Sequence, residues 1–441
     1  MKAGMRLPAF FTGKGITMFI KKKLSNGVTL IAEKLPKFHS VTCGIWVGAG
    51  SITETGEENG ISHLIEHMLF KGTEKRSAKE IAIAVDNIGG QINAFTSKES
   101  TCYYIKMINE KVEQGIEILA DLFCNSVLDE GELEKEKSVV LEEIAMSNDN
   151  PEDVAMDLIS STFFNGCSLQ KTILGPPKNI KSFEREDLKS YINRYYSTEN
   201  IVVAVAGGFE EKQLIECLEE HLGGMAPFGS SIPGFADCGD FSYAKGFAVV
   251  EKDIEQVHVC MGLPSYSVKQ EKRYALSVLN NVIGGSMSSR LFQRIREEMG
   301  MAYAVFSHPV LYRDTGMYSL YAGTMAQNAA TVTEMILEEL DRVKKDGITQ
   351  EEFLQSKEQL KGSLMLSLES TSAKMNAIGK SMILTGRVYS DDELLHFINK
   401  VTYEDVRGVI DEVIKPENLT ATFVGKVEDE GALKGIVTKE A

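Results

Sequence analysis

The chain has 441 residues, of which 43% are hydrophobic and 25% are charged, and its formal net charge is −16. This composition is ordinary for a globular protein, and no run of about 18 apolar residues could span a membrane. Because nucleic-acid binding depends on Lys and Arg contacts to phosphate, the acidic balance argues against a nucleic-acid partner.

The N-terminal segment, residues 1–19, is predicted to be a tail that precedes the folded protein. It lacks the apolar stretch of a secretory signal, and Pro8 and Gly13 interrupt it where a mitochondrial transit peptide would form a helix. The seven cysteines are scattered without a Cys-x-x-Cys pair, which is typical of reduced thiols. We therefore expect a cytoplasmic protein, with the mitochondrial matrix as the less favoured compartment.

The first half of the chain alternates strand and helix patterns, which are read from turn residues, helix caps and β-branched runs. The predicted elements, in chain order, are a hairpin at Asn26-Gly27, a strand over 40–51, a helix from Asn59 as N-cap to Gly72 as its stop, a helix over 77–90, strands within 91–108 and two helices within 109–147.

The same order of elements recurs after a Gly/Pro-rich stretch near the middle of the chain. Pairing Leu133 with Phe353 aligns three segments of the two halves at an offset of 353 − 133 = 220 residues. We therefore predict an α+β fold of two tandem homologous units. The predicted boundaries are a tail at 1–19, a first unit at 20–222, a linker at 223–244 and a second unit at 245–441.

The segment GISHLIEHMLFKGT places His63 and His67 on one face of a helix, where both imidazoles can reach one ion. A catalytic zinc site needs a third protein ligand and an open position, and we expect a carboxylate from elsewhere in the fold. Glu66 can take a proton from the attacking water and return it to a leaving amine. A histidine pair that only packs or caps the helix is the alternative. The expected counterpart in the second unit, SSRLFQRIREEMGMAY, lacks the motif.

Three segments together, GISHLIEHMLFKGT, GGQINAFTSKESTCYY and EKSVVLEEI, resemble the pitrilysin/insulinase/mitochondrial processing peptidase family of zinc metallopeptidases. The resemblance covers nearly the whole chain from about residue 20. It implies a bacterial, zinc-dependent metalloendopeptidase that hydrolyses extended or unfolded peptides by a water activated by zinc and Glu66. It also implies one Zn²⁺ per chain and two units, each an antiparallel sheet flanked by helices, that form a clamshell chamber.

The resemblance also assigns roles to individual residues. It implies Glu143 as the third metal ligand, 143 − 67 = 76 residues after His67, and Glu136 as the residue that orients a ligand. Glu142 is the rival for the third ligand, but a neighbouring residue on a helix points about 100° away. The resemblance further implies that Asn93 and Ala94 bind substrate and that Arg296 and Tyr303 are catalytic residues.

Arg296 and Tyr303 are implied to reach the substrate carbonyl from the second unit, with Tyr303 able to stabilise an oxyanion. One departure from many relatives is the sequence CSLQKTILG, where they have His-Pro-Leu-Gly. The partners implied are peptide substrates, with basic peptides favoured by the net charge, and a second chain in a homodimer or a heterodimer with a related chain. A non-catalytic structural or regulatory subunit of a processing-peptidase-like complex is the alternative function.

Overall fold

The computed structural model describes residues 19–225, 243 and 245–438. Residues 1–18 of the predicted tail and most of the predicted linker at 223–244 lie outside the described residues, so those boundaries stay predictions. Among the described helices, none is long and apolar enough to cross a lipid bilayer.

The first half contains a six-stranded sheet in the order β1-β2-β6-β3-β5-β4. Its elements are β1 Phe19–Lys23, β2 Thr29–Lys34, β3 Ser40–Val47, α1 Ile61–Leu69, α2 Ala78–Asn87, β4 Gln91–Thr96, β5 Thr101–Ile108, α3 Val112–Asn125, α4 Glu130–Asp149, α5 Pro151–Phe163, α6 Pro177–Ser182, α7 Arg185–Tyr195, β6 Ile201–Gly207 and α8 Glu211–Leu222. The hairpin predicted at Asn26-Gly27 joins β1 and β2, and Gly27 adopts the positive φ of 96° that this turn requires.

The second half contains a five-stranded sheet in the order β7-β11-β8-β10-β9. Its elements are β7 Phe247–Val250, β8 Gln256–Ser265, α9 Lys272–Ile283, a π-helix Phe292–Glu298, β9 Ala302–Leu311, β10 Gly316–Met325, α10 Ala329–Asp346, α11 Gln350–Ser367, α12 Thr371–Thr385, α13 Asp391–Lys400, α14 Tyr403–Val413, β11 Thr420–Val424 and α15 Glu430–Thr438.

The two sheets share one topology, apart from the extra strand β1, which confirms the tandem repeat. The prediction that each sheet is antiparallel is wrong in one respect, because β2 pairs with β6, and β7 with β11, in parallel. Both sheets are therefore mixed. In each half the last strand returns to the middle of the sheet after a long helical crossover, which permits parallel pairing.

Three further expectations need correction. In the second half α9 follows the first long strand and packs on α11, as α1 packs on α4, so α9 and not the segment at 288–303 is the counterpart of α1. Helix α1 begins one residue later than expected, with Gly60 and not Asn59 at its N-cap, and it ends at Leu69 with Phe70 as C-cap, before Gly72. Cys167 is disulfide-bonded, so the expectation of reduced thiols is wrong at that residue.

One helix from each half packs on the sheet of the other half. Met375, Ile378 and Met382 of α12 pack with Trp46 and neighbouring side chains of the first sheet, where a Cβ on Gly379 would lie 2.2 Å from the Trp46 ring. Helix α5 packs in the same way on β8 and β11 of the second sheet. The two helices start 371 − 151 = 220 residues apart. This exchange covers the outer face of each sheet and joins the halves through apolar burial.

A buried carboxylate also joins the halves, at the turn between β4 and β5. Both oxygens of Glu99 accept the backbone N–H of Arg313, at 2.9 and 3.2 Å, and Arg313 lies between β9 and β10 of the second sheet. Burial raises the pKa of Glu99 to about 7, against an ordinary value of 4.5. The carboxyl of the folded protein therefore keeps its proton over a pH range in which the unfolded chain has released it.

Replacing Glu99 with Gln should remove a pH dependence of stability. The folded state binds more protons than the unfolded state between about pH 4.5 and 7, so the free energy of unfolding falls as the pH rises through that window. Relative to wild type, Glu99→Gln should gain about 2 kcal/mol between pH 5 and pH 8. Denaturant unfolding at both values measures this, with the exposed Glu142→Gln as control. A difference that does not change with pH would contradict the assignment.

Candidate metal centre

Helix α1 is fixed in place at its N-terminus by a carboxylate from the preceding loop. The Glu54 side chain accepts the backbone N–H groups of Gly60 and Ser62 at 2.9 and 3.0 Å, and the Asn59 amide at 2.9 Å. These bonds satisfy N–H groups that the first helical turn leaves without partners. The apolar face of α1, including Leu64 and Met68, is buried in the first core.

His63 and His67 project from α1 toward Glu143 of α4. Their ring centroids lie 4.6 Å apart, and the Nε2 atoms lie 3.7 and 3.6 Å from one Glu143 oxygen. One ligand atom from each of the three residues lies within 4.8 Å of the others. Two nitrogens bound tetrahedrally to one zinc lie about 3.3 Å apart, given Zn–N distances of about 2.0–2.1 Å. The donor set and its spacing therefore fit a zinc ion. Glu142, the rival for the third ligand, is exposed and is not part of this cluster.

The two histidines are held differently. Burial, with a smaller contribution from His67, lowers the pKa of His63 to about 4, so this imidazole is neutral and can ligate at neutral pH. Its buried Nδ1 has no hydrogen-bond partner in the part of the chain that the structure describes. The Nδ1 of His67 lies 3.1 Å from Glu136, whose other oxygen lies 2.6 Å from Lys71. Glu136 thus fixes the ring so that Nε2 faces Glu143.

Glu136→Gln should weaken zinc binding without removing a ligand atom. The change deletes the charge that orients His67, and loss of such an outer partner typically costs about 10- to 100-fold in metal affinity. Competition with a chromogenic chelator measures the affinity, and Glu142→Gln on the same helix is the control. An unchanged affinity would mean that Glu136 serves the ion pair with Lys71 alone.

Glu66 lies on the same helix as the histidines, half-buried beside the three candidate ligands. Its Oε2 accepts the hydroxyl of Thr96 at 2.6 Å, and Thr96 ends strand β4. Burial raises the pKa of Glu66, and the hydrogen bond from Thr96 opposes this rise. A carboxylate with a raised pKa is better matched to proton transfer near neutral pH.

Strand β4 is the edge of the first sheet and carries the two residues expected to bind substrate. Asn93 is exposed, and its Oδ1 accepts the backbone N–H of Ala94 at 2.9 Å. Ala94 is half-buried against the first core. An extended peptide can add to such an edge by backbone hydrogen bonds.

Arg296 and Tyr303 lie together in the second half. The guanidinium of Arg296 stacks on the Tyr303 ring at 4.8 Å and on Phe292 at 4.7 Å, and Tyr303 is 78% exposed. Within the described residues, no hydrogen bond, ion pair or ring contact connects this pair with the three candidate metal ligands. The structure thus pairs the two residues with each other, and their roles stay predictions.

The sequence analysis missed three residues that support the site. Lys71 lies four residues after His67. In the helix predicted from Asn59 to Gly72, this spacing would have placed Lys71 on the same face as His67. Thr96 lies in a segment whose sequence predicts only a strand, and its contact with Glu66 becomes visible only in the fold. Nothing in the local pattern identifies Glu54, because an Asx or Ser/Thr residue is the usual signal for a helix N-terminus.

Comparison with known sequences places both halves in one family. Residues 29–177 match the family model "Insulinase (Peptidase family M16)", and residues 182–360 match "Peptidase M16 inactive domain". A Bacillus subtilis protein named uncharacterized zinc protease YmxG is 45% identical over 87% of this chain and 93% of its own length. One of Streptomyces coelicolor, named uncharacterized zinc protease SCO5738, is 35% identical over 95% of this chain and 92% of its own.

A solved structure shares the fold over nearly the whole chain. The crystal structure of a protease from Helicobacter pylori has a TM-score of 0.87 and 24% identity, and the match covers 93% of this chain and all of that one. Because the match spans both units, the two chains share one fold, as predicted for the two-unit α+β architecture.

Proposed function

The chain belongs to the insulinase family of peptidases, family M16, and is a zinc protease, and from this premise we propose that it is an endopeptidase for extended peptides. The observation that carries the proposal is the convergence of His63, His67 and Glu143, with Glu66 beside them on α1. A non-catalytic subunit would not need this set of side chains.

We assign the binding of one zinc ion per chain to the Nε2 atoms of His63 and His67 and a carboxylate oxygen of Glu143. Zinc, when bound, polarises a carbonyl and lowers the pKa of water to about 7. Glu136 holds the His67 ring in the tautomer that leaves Nε2 free to ligate. The low pKa of His63 keeps its ring neutral, so ligation there does not have to displace a proton at neutral pH.

Glu66 is proposed as the general base and acid. Thr96 occupies Oε2, so we assign proton transfer to Oε1. In the forward reaction that oxygen takes a proton from the attacking water as the carbonyl carbon gains its new C–O bond. The same proton then passes to the amide nitrogen as the C–N bond breaks, which leaves a carboxylic acid and an amine.

Substrate would bind as an added strand on β4, with Asn93 and Ala94 nearest the scissile bond. Arg296 and Tyr303 would approach from the second half. In this role the Tyr303 hydroxyl donates to the oxyanion, and the Arg296 guanidinium binds backbone carbonyls. The net charge of −16 favours basic peptides as substrates.

We propose a bacterial cytoplasmic protein that forms a homodimer or a heterodimer with a related chain. Light scattering on the purified protein tests the dimer directly.

The test of the function is metal content together with peptide cleavage. Purified protein should contain close to one zinc per chain and should cut unstructured peptides, as read by mass spectrometry. A chelator should abolish the cleavage, and added zinc should restore it. Protein that contains no zinc and cuts no peptide would overturn the proposal and favour the non-catalytic subunit.

A further inference from the structure

An open concavity lies at the joint between the halves, among elements that the peptidase site does not use. It has a volume of about 260 Å³ and is bounded by strand β2, helices α9, α12 and α13 and the loops beside them. Its apolar wall comes from α12, α13 and the segment between them. The wall residues are Ile378, Leu384, Val388, Tyr389 and Leu394.

The base of this joint cavity is an ion triad that links the two halves. The Lys374 ammonium of α12 lies 3.0 Å from Glu33 of β2 and 2.5 Å from Asp391 of α13. Lys374 and Glu33 are both almost fully buried, with side chains 8% and 3% exposed. The carboxylates of Glu33 and Asp391 therefore share the Lys374 ammonium, and each already has a cationic partner within the protein.

Two other cations line the same cavity without a carboxylate in direct contact. The Arg273 guanidinium donates to the Val268 carbonyl at 2.5 Å and to the Tyr274 hydroxyl at 2.9 Å. Lys380 extends from the exposed side of α12. Among the described residues, neither side chain has a carboxylate oxygen within 4.0 Å. The carboxylate that interacts with Lys380 at longer range, Glu99, is not part of the cavity lining. With three cations and two carboxylates, the lining carries one surplus positive charge.

We propose that the joint cavity binds a small amphipathic carboxylate. The aliphatic part would pack on the apolar wall, and the carboxylate would lie at the rim with Arg273 and Lys380. Pockets for small molecules have this composition, with mostly apolar walls and a few convergent polar groups. An anionic head would pair with Arg273 and Lys380 at the rim, whereas a cationic head would be repelled by these two side chains.

The ligand would contact both halves at once, because Glu33 belongs to the first sheet and the remaining walls belong to the second half. A molecule that binds only the folded chain stabilises it by mass action. The site is independent of the zinc ligands, so its occupancy can be measured without any peptide cleavage.

The experiment uses the full chain and three probes that share an eight-carbon chain: octanoate, octan-1-ol and octylamine. By titration calorimetry, octanoate should bind one per chain with a dissociation constant below about 1 mM. The alcohol and the amine should bind at least tenfold more weakly. Equal binding of all three probes, or no binding of octanoate, would overturn the proposal.

Two variants locate the bound probe. Lys380→Gln should weaken octanoate binding severalfold and leave octan-1-ol binding unchanged, with the exposed Lys345→Gln as matched control. Ala377→Trp, at an exposed wall position, should abolish the binding of every probe by filling the cavity. Circular dichroism checks that each variant is folded. Octanoate affinity that survives both changes would place the probe elsewhere and overturn the assignment.

Discussion

Glu66→Gln should bind zinc as tightly as wild type and lose peptide hydrolysis. General acid–base catalysis contributes about 10²- to 10⁴-fold, so kcat/KM should fall by a factor in that range. The amide has nearly the shape of the carboxylate and can still accept the Thr96 hydroxyl, but it cannot take a proton from water. Zinc binding should survive because the carboxylate is not among the three residues whose ligand atoms converge.

The matched control for this change is Glu57→Gln, an exposed carboxylate in the loop before α1. Zinc is measured by mass spectrometry of metals after dialysis, and turnover is measured with a peptide that wild type cuts. Turnover above a tenth of the wild-type value would refute the base. Loss of zinc together with turnover would instead make Glu66 a ligand or a structural neighbour of the ligands.

The local geometry of the histidine pair could be predicted from spacing alone. A separation of four on a helix puts two side chains on one face, and the observed ring separation of 4.6 Å follows from it. Glu143 could not be derived in this way. Its position depends on how α4 crosses α1, and only the resemblance to a family identified it in advance.

The long-range arrangement was beyond sequence reasoning for a physical reason. Hydrophobic period and caps identify an element and its apolar face, but they do not say which sheet that face will cover. Helices α5 and α12 illustrate this, since each reads as part of its own unit and yet packs on the other sheet. The contact between Glu99 and Arg313 depends on that exchange, and a turn carboxylate gives no local sign of it.

The parallel pairing of β6 with β2 was not predicted, for the same reason. Adjacent strands in the chain are expected to form hairpins, and β1 with β2 and β4 with β5 do so. Strand β6 arrives after five intervening helices and fills the gap between β2 and β3. Its buried, nearly continuous apolar sequence is typical of a central strand, but such a sequence does not fix direction.

Glu143→Gln should weaken zinc binding far more than Glu142→Gln. Removal of an outer partner costs about 10- to 100-fold, so removal of a direct anionic ligand should exceed that range. Two neutral imidazoles would remain, and a catalytic zinc site requires three protein ligands. Glu142 differs from Glu143 by one position on the same helix, but its side chain faces solvent, so its loss should leave the affinity within a few-fold of wild type.

Zinc affinity, measured by chelator competition on both variants and on wild type, determines which face of α4 is turned toward α1. The pair is closely matched, because each change removes one charge from the same turn and leaves the helix its propensity. The reverse order would mean that α4 is rotated by about 100° and that Glu142 is the ligand. In that case the short distances from Glu143 to the two histidines would not describe the metal-bound protein, and Glu136, seven residues before Glu143, would also face away from His67.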